Sequence, residues 1–364
     1  MENRGDPFWK PGDADPFEKV DYEYYSDDIS SVNSSRYHTE VAPEGWSVFP
    51  GLSEALNGHS ITPVRVHQIL GAGDYGTAYK SGPIGSEEIT ACAKFFSLDR
   101  TKDRAQVVGN VVKEFGFLKR LQGAPGIVQP TGNGLVVKSA TTDLNKAKEV
   151  GFEMELGSDV LSKKMPTTPK EVELLGNAIF TMLDSLKQGK VVHRDVKPDN
   201  IFIVNGEFKL GDFGISADAN GPSQMSLGTP EYKAPEDQGG DQANSVPSHK
   251  ADVFSFGLIL AEALFNLDPN NVGPKTVIFD SGKKDSRFPA ISAERIRAAV
   301  SDTYGVEGKD KFFSRACTKL EAVADKYPEL KALVDTVKSM INRYPEVRDY
   351  SGLQQRPSED QGGH

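Results

Sequence analysis

Apolar and polar positions fall into short extended runs just after residue 60 and change to helical spacing further along the chain. Val64 and Val66 lead into Ile69-Leu70, and Thr77-Ala78-Tyr79-Lys80 and Ala91-Cys92-Ala93-Lys94-Phe95-Phe96 follow; all three runs read as strands. Between Asp103 and Leu121 the apolar residues Val107, Val111, Phe115 and Leu118 recur at steps of four, four and three, the period of a helix. Gly109 and Gly116 each weaken that helix by roughly 1 kcal/mol relative to alanine, so it is expected to swing or fray. Further on, Ile201-Phe202-Ile203-Val204 and Glu207-Phe208-Lys209-Leu210 flank Asn205-Gly206, the pattern of a strand, a tight turn and a strand. The longest apolar run, Val253 to Phe265, contains Ser255 and Glu262 and is too short to cross a bilayer. It reads as a buried helix.

The first sixty residues are of another kind. They hold twelve acidic and four basic side chains, a net of -8, while the rest of the chain holds forty and thirty-eight, a net of -2. Acid, Ser, Pro and Gly enrichment without an apolar period predicts a flexible or conditionally ordered arm over residues 1–63. The near-neutral remainder gives no general affinity for nucleic acid. Length leaves room for a sizeable core in two parts, expected over 64–156 and 157–350, with a polar tail over 351–364.

Candidate chemistry is concentrated in two stretches. His193-Arg194-Asp195-Val196-Lys197-Pro198-Asp199-Asn200 precedes the predicted hairpin, and Asp212-Phe213-Gly214 follows it, so both acidic loops can face one cleft. The spacing supplies a carboxylate for a hydroxyl proton, a lysine for a transferring phosphate, and an asparagine and second carboxylate for magnesium. Upstream, Gly71-Ala72-Gly73-Asp74-Tyr75-Gly76 is a weak phosphate motif by itself. Strands follow its glycines where a dinucleotide fold would open a helix, which favours a phosphate-covering hairpin. The absence of a Cβ lets backbone amides approach phosphate oxygens.

Together these residues closely resemble the eukaryotic-type serine/threonine protein kinases, from about Val64 to Arg348. The resemblance implies an α+β, two-lobed fold: a small antiparallel β-rich lobe with one helix, and a larger, mainly helical lobe. It implies that ATP lies between them with Gly71, Gly73, Tyr75 and Gly76 over the phosphates, Ala78 and Cys92 above the adenine and Phe202 below it. Met154 would gate the deeper pocket, and Glu155-Leu156 would offer hinge backbone. Lys94 is placed to hold the α and β phosphates, with Glu114 as its helical partner. Asp195 would receive or orient the substrate proton and Lys197 steady the migrating phosphoryl group. Asn200 and Asp212 would hold Mg2+, or Mn2+ in its place.

Gly228-Thr229-Pro230-Glu231-Tyr232-Lys233-Ala234-Pro235-Glu236 resembles the segment that receives a substrate peptide, so the implied partner is a protein bearing a Ser or Thr acceptor. Lys197 together with Thr229 is the serine/threonine rather than the tyrosine pattern. His193 and Phe213 take structural places in their loops. Asp252 would brace the catalytic loop and Arg348 would pair with Glu236. Arg194 calls for an anionic partner, and Ser223 and Ser226 are the loop hydroxyls placed to become one by autophosphorylation.

Several positions depart from the family pattern. Ala78 stands for the usual valine, Cys92 for the usual alanine, Asp74 puts a charge at the glycine-loop tip, and Ile215 to Ala219 contains no Lys or Arg. Asp199 favours a basic side chain on the substrate. A pseudokinase-type nucleotide-binding scaffold, recruiting partners through the acidic arm, is the alternative. In that arm Asp6-Pro7-Phe8 and Asp15-Pro16-Phe17 resemble adaptor-docking motifs, against the simpler reading that their aromatics fold back on the surface. The two cysteines and an N-terminus without an apolar signal core lead to a cytoplasmic expectation, with export into a host cell as the other route.

Overall fold

The computed structural model describes residues 58–73, 76–98, 103–138, 144, 146–219, 221, 228–237, 246–267, 305–342 and 344–354. Tyr75, Ser223, Ser226, both Asp-Pro-Phe motifs and the end of the tail from 355 lie outside these residues.

Five strands close into a barrel: β1 (Ile61–Gly73), β2 (Gly76–Pro83), β3 (Ala91–Ser97), β4 (Leu135–Val137) and β5 (Glu149–Met154), in the order β1-β2-β3-β5-β4. β1 begins at Ile61, ahead of the apolar run at Val64, because Ile61 to Pro63 pair in parallel with Leu135 to Val137. That pairing comes from a segment distant in sequence and leaves no local pattern. Gly76 opens β2 at φ 117°, and a Cβ there would fall 2.6 Å from the Phe95 carbonyl oxygen. Only glycine allows β2 to lie this close to β3. On β3, Cys92 and Lys94 face one side and Ala93 and Phe95 the other, as a period of two requires.

The helix α1 (Arg104–Arg120) packs on this barrel. Asp103 caps it by accepting from the Gln106 amide at 2.9 Å, and Lys119 and Arg120 complement the negative end of its dipole. Its buried face carries Val108, Val111, Phe115 and Leu118, and Glu114 is buried with them. Each such apolar side chain contributes about 1.5–3 kcal/mol on burial. That anchorage offsets the two glycines.

Beyond the barrel the chain is mainly helical. A short β6 (Asp159–Val160) leads to α2 (Pro169–Gln188), whose N-terminus is a full capping box: Thr168 accepts from the Glu171 amide, and Glu171 accepts from the Thr168 amide. The pairs β7 (Val191–Val192) with β10 (Ala217–Asp218), and β8 (Ile201–Val204) with β9 (Glu207–Leu210), frame the two acidic loops. Asn205 and Gly206 turn the β8–β9 hairpin at φ 52° and 84°, the left-handed pair that a type I′ turn needs. The helix α3 (His249–Asn266) is buried on every side from Ala251 to Phe265, with α2, α4 (Gly305–Lys326) and α5 (Lys331–Met340) around it. Among the described residues no helix is long and apolar enough to cross a membrane.

Candidate active site

The barrel and the helical part meet at Lys94. Its ammonium lies 2.7 Å from Glu114 Oε1 and 2.6 Å from Asp212 Oδ1, so one cation joins β3, α1 and the loop after β9. Burial alone would lower the Lys94 pKa, but the two carboxylates outweigh it and raise it. Glu114 is fully enclosed. Burial pushes its carboxyl up to about 7 in spite of the neighbouring ammonium.

Asp195 stands in a separate, denser set of contacts. Its Oδ1 accepts from the Thr229 amide at 2.8 Å and the Thr229 hydroxyl at 2.6 Å, while Oδ2 faces Lys197 Nζ at 2.9 Å and Asn200 Nδ2 at 3.1 Å. Burial would raise the pKa of this carboxyl, yet the Thr229 hydroxyl and the Lys197 ammonium hold it below the ordinary range. Lys197 also donates to Thr229 Oγ1 at 2.9 Å. The three side chains thus form one closed triangle joining the 193–200 stretch to the segment after residue 227.

The backbone beneath is fixed from α3. Asp252, at the first turn of that helix, accepts from the His193 amide at 2.7 Å and the Arg194 amide at 2.9 Å. Burial pushes the Asp252 carboxyl up to about 7 against the pull of those amides. His193 is buried, which lowers its pKa and favours the neutral ring; Nε2–H then donates to the Gly211 carbonyl at 3.0 Å. The ring meets Phe213 edge-on at 4.9 Å, and Phe213 itself is buried. Arg194 and Asp212 hold left-handed φ values of 72° and 65°, a conformation that costs non-glycine residues about 1–3 kcal/mol each. Asp252, the Lys94 ion pair and the Phe213 packing over-determine these two turns.

Across the barrel, β3–β5 pairing sets Cys92 opposite Met154 and Lys94 opposite Phe152. Met154 is buried at the strand end, with Glu155 and Leu156 following it half-buried. Ala78 pairs with Lys94 across β2–β3. Phe202 lies between two glycines: a Cβ at Gly157 would fall 3.4 Å from it and one at Gly211 2.9 Å. Burial pushes the Cys92 thiol up to about 11, which makes it a poor nucleophile. Gly71 and Gly73 end β1, and a Cβ on Gly71 would meet nothing within 4 Å among the described residues.

Two other members lie at the edge. Arg348, with its side chain fully enclosed, meets Glu236 through NH1–Oε1 at 2.5 Å and NH2–Oε2 at 2.7 Å and lies over the Phe254 ring. Arg194 donates to the Ile215 carbonyl at 3.4 Å, and its guanidinium feels Asp237 and Asp252. Asp237 carries no sequence signal of its own beyond following Glu236. Arg120 at the end of α1 pairs with Asp218 of β10, a long-range contact that the absence of basic residues in 215–219 did not suggest.

A barrel with one helix, a helical body and these loops between them define a protein kinase domain. The family model described as "Protein kinase domain" matches residues 64–346, and the chain belongs to that family. Among curated proteins, the probable serine/threonine-protein kinase mkcF of Dictyostelium discoideum is 26% identical over 284 residues, 70% of this chain and 37% of that protein. The serine/threonine-protein kinase dst1 of the same organism is 28% identical over 298 residues, 77% of this chain and 37% of its own. Serine/threonine-protein kinase 4 homolog A, also from that organism, is 30% identical over 224 residues, 58% and 43% of the two chains. The chain therefore spans less than half the length of these relatives.

Proposed function

We propose that the protein transfers the γ-phosphoryl group of ATP, with magnesium, to serine and threonine hydroxyls of protein substrates. The observation that carries this reading is the Asp195 carboxylate, kept ionised by Thr229 and Lys197, together with a Lys94–Glu114–Asp212 group that is already joined. Residues 64–156 act as the small lobe and hinge and 157–350 as the large lobe. Asp195 accepts or orients the substrate proton. Lys197 leaves Thr229 for the migrating phosphoryl group, and Lys94 neutralises the α and β phosphates. Gly71, Gly73 and Gly76 bring backbone amides to the same phosphates, and Thr229 and its neighbours receive the acceptor residue.

Magnesium suits the donor set. Asn200 spends its amide nitrogen on Asp195, at 2.8 Å from the carbonyl and 3.1 Å from the carboxylate, which among the described residues leaves its amide oxygen uncommitted. Asp212 commits Oδ1 to Lys94 and retains Oδ2. Two protein oxygens completed by phosphate oxygens and water match the octahedral, partly hydrated habit of this ion. Among the described residues no group of three or more His, Cys, Asp or Glu side chains forms a self-sufficient metal cage. Bound there, the metal would screen the charge of the transferring phosphate.

Purified protein incubated with labelled ATP and a generic basic protein tests the reading: label is incorporated with magnesium and not with chelator. Nucleotide binding without transfer would favour the scaffold alternative.

Two further outcomes follow. The Lys94–Glu114 pair needs the ionised carboxylate, whose pKa is about 7, so turnover rises with pH between about 6 and 8 while Asp195, held low, stays ionised throughout. A pH profile of kcat/KM reads this, and Glu114→Gln removes the acid limb. Stability responds to Glu114 with the opposite sign: the folded protein binds its proton more tightly than the unfolded chain, so this contribution is present below 4.5 and is lost as pH rises through about 7.

The second concerns Ser223 and Ser226. The loop becomes phosphorylated on incubation with ATP, Ser226 ahead of Ser223, and the double substitution Ser223→Ala, Ser226→Ala lowers turnover by no more than about threefold, because the Arg194 guanidinium already feels the Asp237 carboxylate. Phosphosite mapping beside turnover checks it. A loop that stays unmodified in active protein contradicts the first half, and a hundredfold loss contradicts the second.

A further inference from the structure

We propose that Lys209 and Gln129 are positioning residues for the nucleotide, acting through the Glu155 carboxylate to hold the hinge against the strand that leads to Asp212. The inference rests on the reading of Glu155-Leu156 as the backbone that meets the adenine. Glu155 directly follows β5, and its carboxylate gathers three contacts: Lys209 Nζ at 2.8 Å and 3.1 Å, and the Gln129 backbone amide at 2.9 Å. Its own amide returns a hydrogen bond to the Gln129 carbonyl at 2.9 Å. Lys209 belongs to β9, three residues before Asp212.

Gln129 is itself held in place. Its Oε1 accepts from the Gly123 amide at 2.6 Å, and its Nε2 donates to the carbonyls of Ala124 at 3.2 Å and Ile127 at 2.8 Å. The loop that carries it joins α1 to β4, yet it is bonded to the helical body. Leu210 donates to the Gly126 carbonyl at 2.8 Å, Val128 donates to the Leu210 carbonyl at 2.9 Å, and the Ser185 hydroxyl of α2 donates to the Pro125 carbonyl at 2.7 Å. Two segments far apart in sequence, the Gln129 loop and β9, therefore converge on the Glu155 carboxylate.

The Lys209 and Glu155 side chains are 14% and 23% exposed, so salt screens the pair far less than a surface ion pair. While the pair holds, the hinge cannot shift along β9, and the distance from the adenine backbone to the Asp212 oxygen is fixed. A nucleotide gripped at both ends loses affinity when that distance is free. Asp195, Lys197 and Thr229 lie in other segments and keep their own contacts. The expected signature is a raised KM for ATP with kcat preserved.

Lys209→Met, Lys209→Arg and Gln129→Ala test this, read by steady-state kinetics and by the Kd of a fluorescent ATP analogue. Lys209→Met raises KM and Kd about tenfold with kcat within about twofold, and Lys209→Arg restores most of the affinity. Gln129→Ala gives about a threefold rise. Should Lys209→Met lack native circular dichroism, Lys209→Gln, which keeps a donor for Glu155, is read instead, with a rise of about threefold. Unchanged KM and Kd in a folded variant, or a tenfold fall in kcat at constant KM, would overturn the proposal. Failure of the wild-type protein to bind the analogue would overturn the nucleotide reading as well, and is distinguished because no substitution is present.

Discussion

Lys94→Met is expected to lower ATP-dependent phosphotransfer by at least about a hundredfold while leaving the fold intact. The ammonium lies within 2.7 Å of both Glu114 and Asp212, so its loss removes the tie between α1 and the loop after β9 as well as the charge proposed to meet the phosphates. Taking one member from a buried ion pair usually destabilises strongly. Here the consequence is smaller, because Glu114 already sits near a pKa of about 7 and simply keeps its proton once the cation is gone. Circular dichroism and a melting curve close to wild type, beside a collapse in turnover, are the expected pair of results. A variant with turnover within tenfold of wild type would contradict the role given to Lys94.

The largest stability effect is expected at Arg348. Its guanidinium is fully enclosed, pairs in a fork with Glu236, donates from Nε to the Asn342 carbonyl at 2.6 Å and from NH1 to the Lys250 carbonyl at 2.8 Å, and covers the Phe254 ring. Arg348→Ala leaves a cavity and removes the fork on Glu236 together with the donors to the Asn342 and Lys250 carbonyls. The expected cost is about 3–5 kcal/mol, with a melting temperature lower by about 10 °C. Arg348→Lys recovers little, since a point charge cannot reproduce the fork. Urea denaturation measures the loss, and a value under about 1 kcal/mol would mean that the fork contributes no more than a surface pair.

What was legible in the sequence was what is encoded locally. The strands of the glycine motif, α1 with its spacing of apolar residues and the Asn205-Gly206 hairpin each carry their own pattern, and the two acidic loops sit at fixed offsets from that hairpin. Thr168-Pro169-Lys170-Glu171 is a capping box that marks the start of α2 equally well, and it is the signal from which that helix was available. Other features depend on distant partners. Lys209 alternates with apolar neighbours in β9 and resembles any outward-facing strand lysine until Glu155 is seen beside it. Gln129, in a loop of glycine and proline, works largely through backbone carbonyls that no side-chain pattern reports. Asp218 and Asp237 likewise look like solvated acids until folding sets them near Arg120 and Arg194.

The central claim is that Asp195 serves transfer of phosphate to serine and threonine. It is tested most directly by incubating wild type and Asp195→Asn with γ-labelled ATP, magnesium and a generic basic protein, then identifying the labelled amino acids after hydrolysis. The account predicts label on phosphoserine and phosphothreonine in wild type, and a loss of about a thousandfold or more in Asp195→Asn with nucleotide binding retained. Equal incorporation by the two proteins, or label confined to phosphotyrosine, would contradict it.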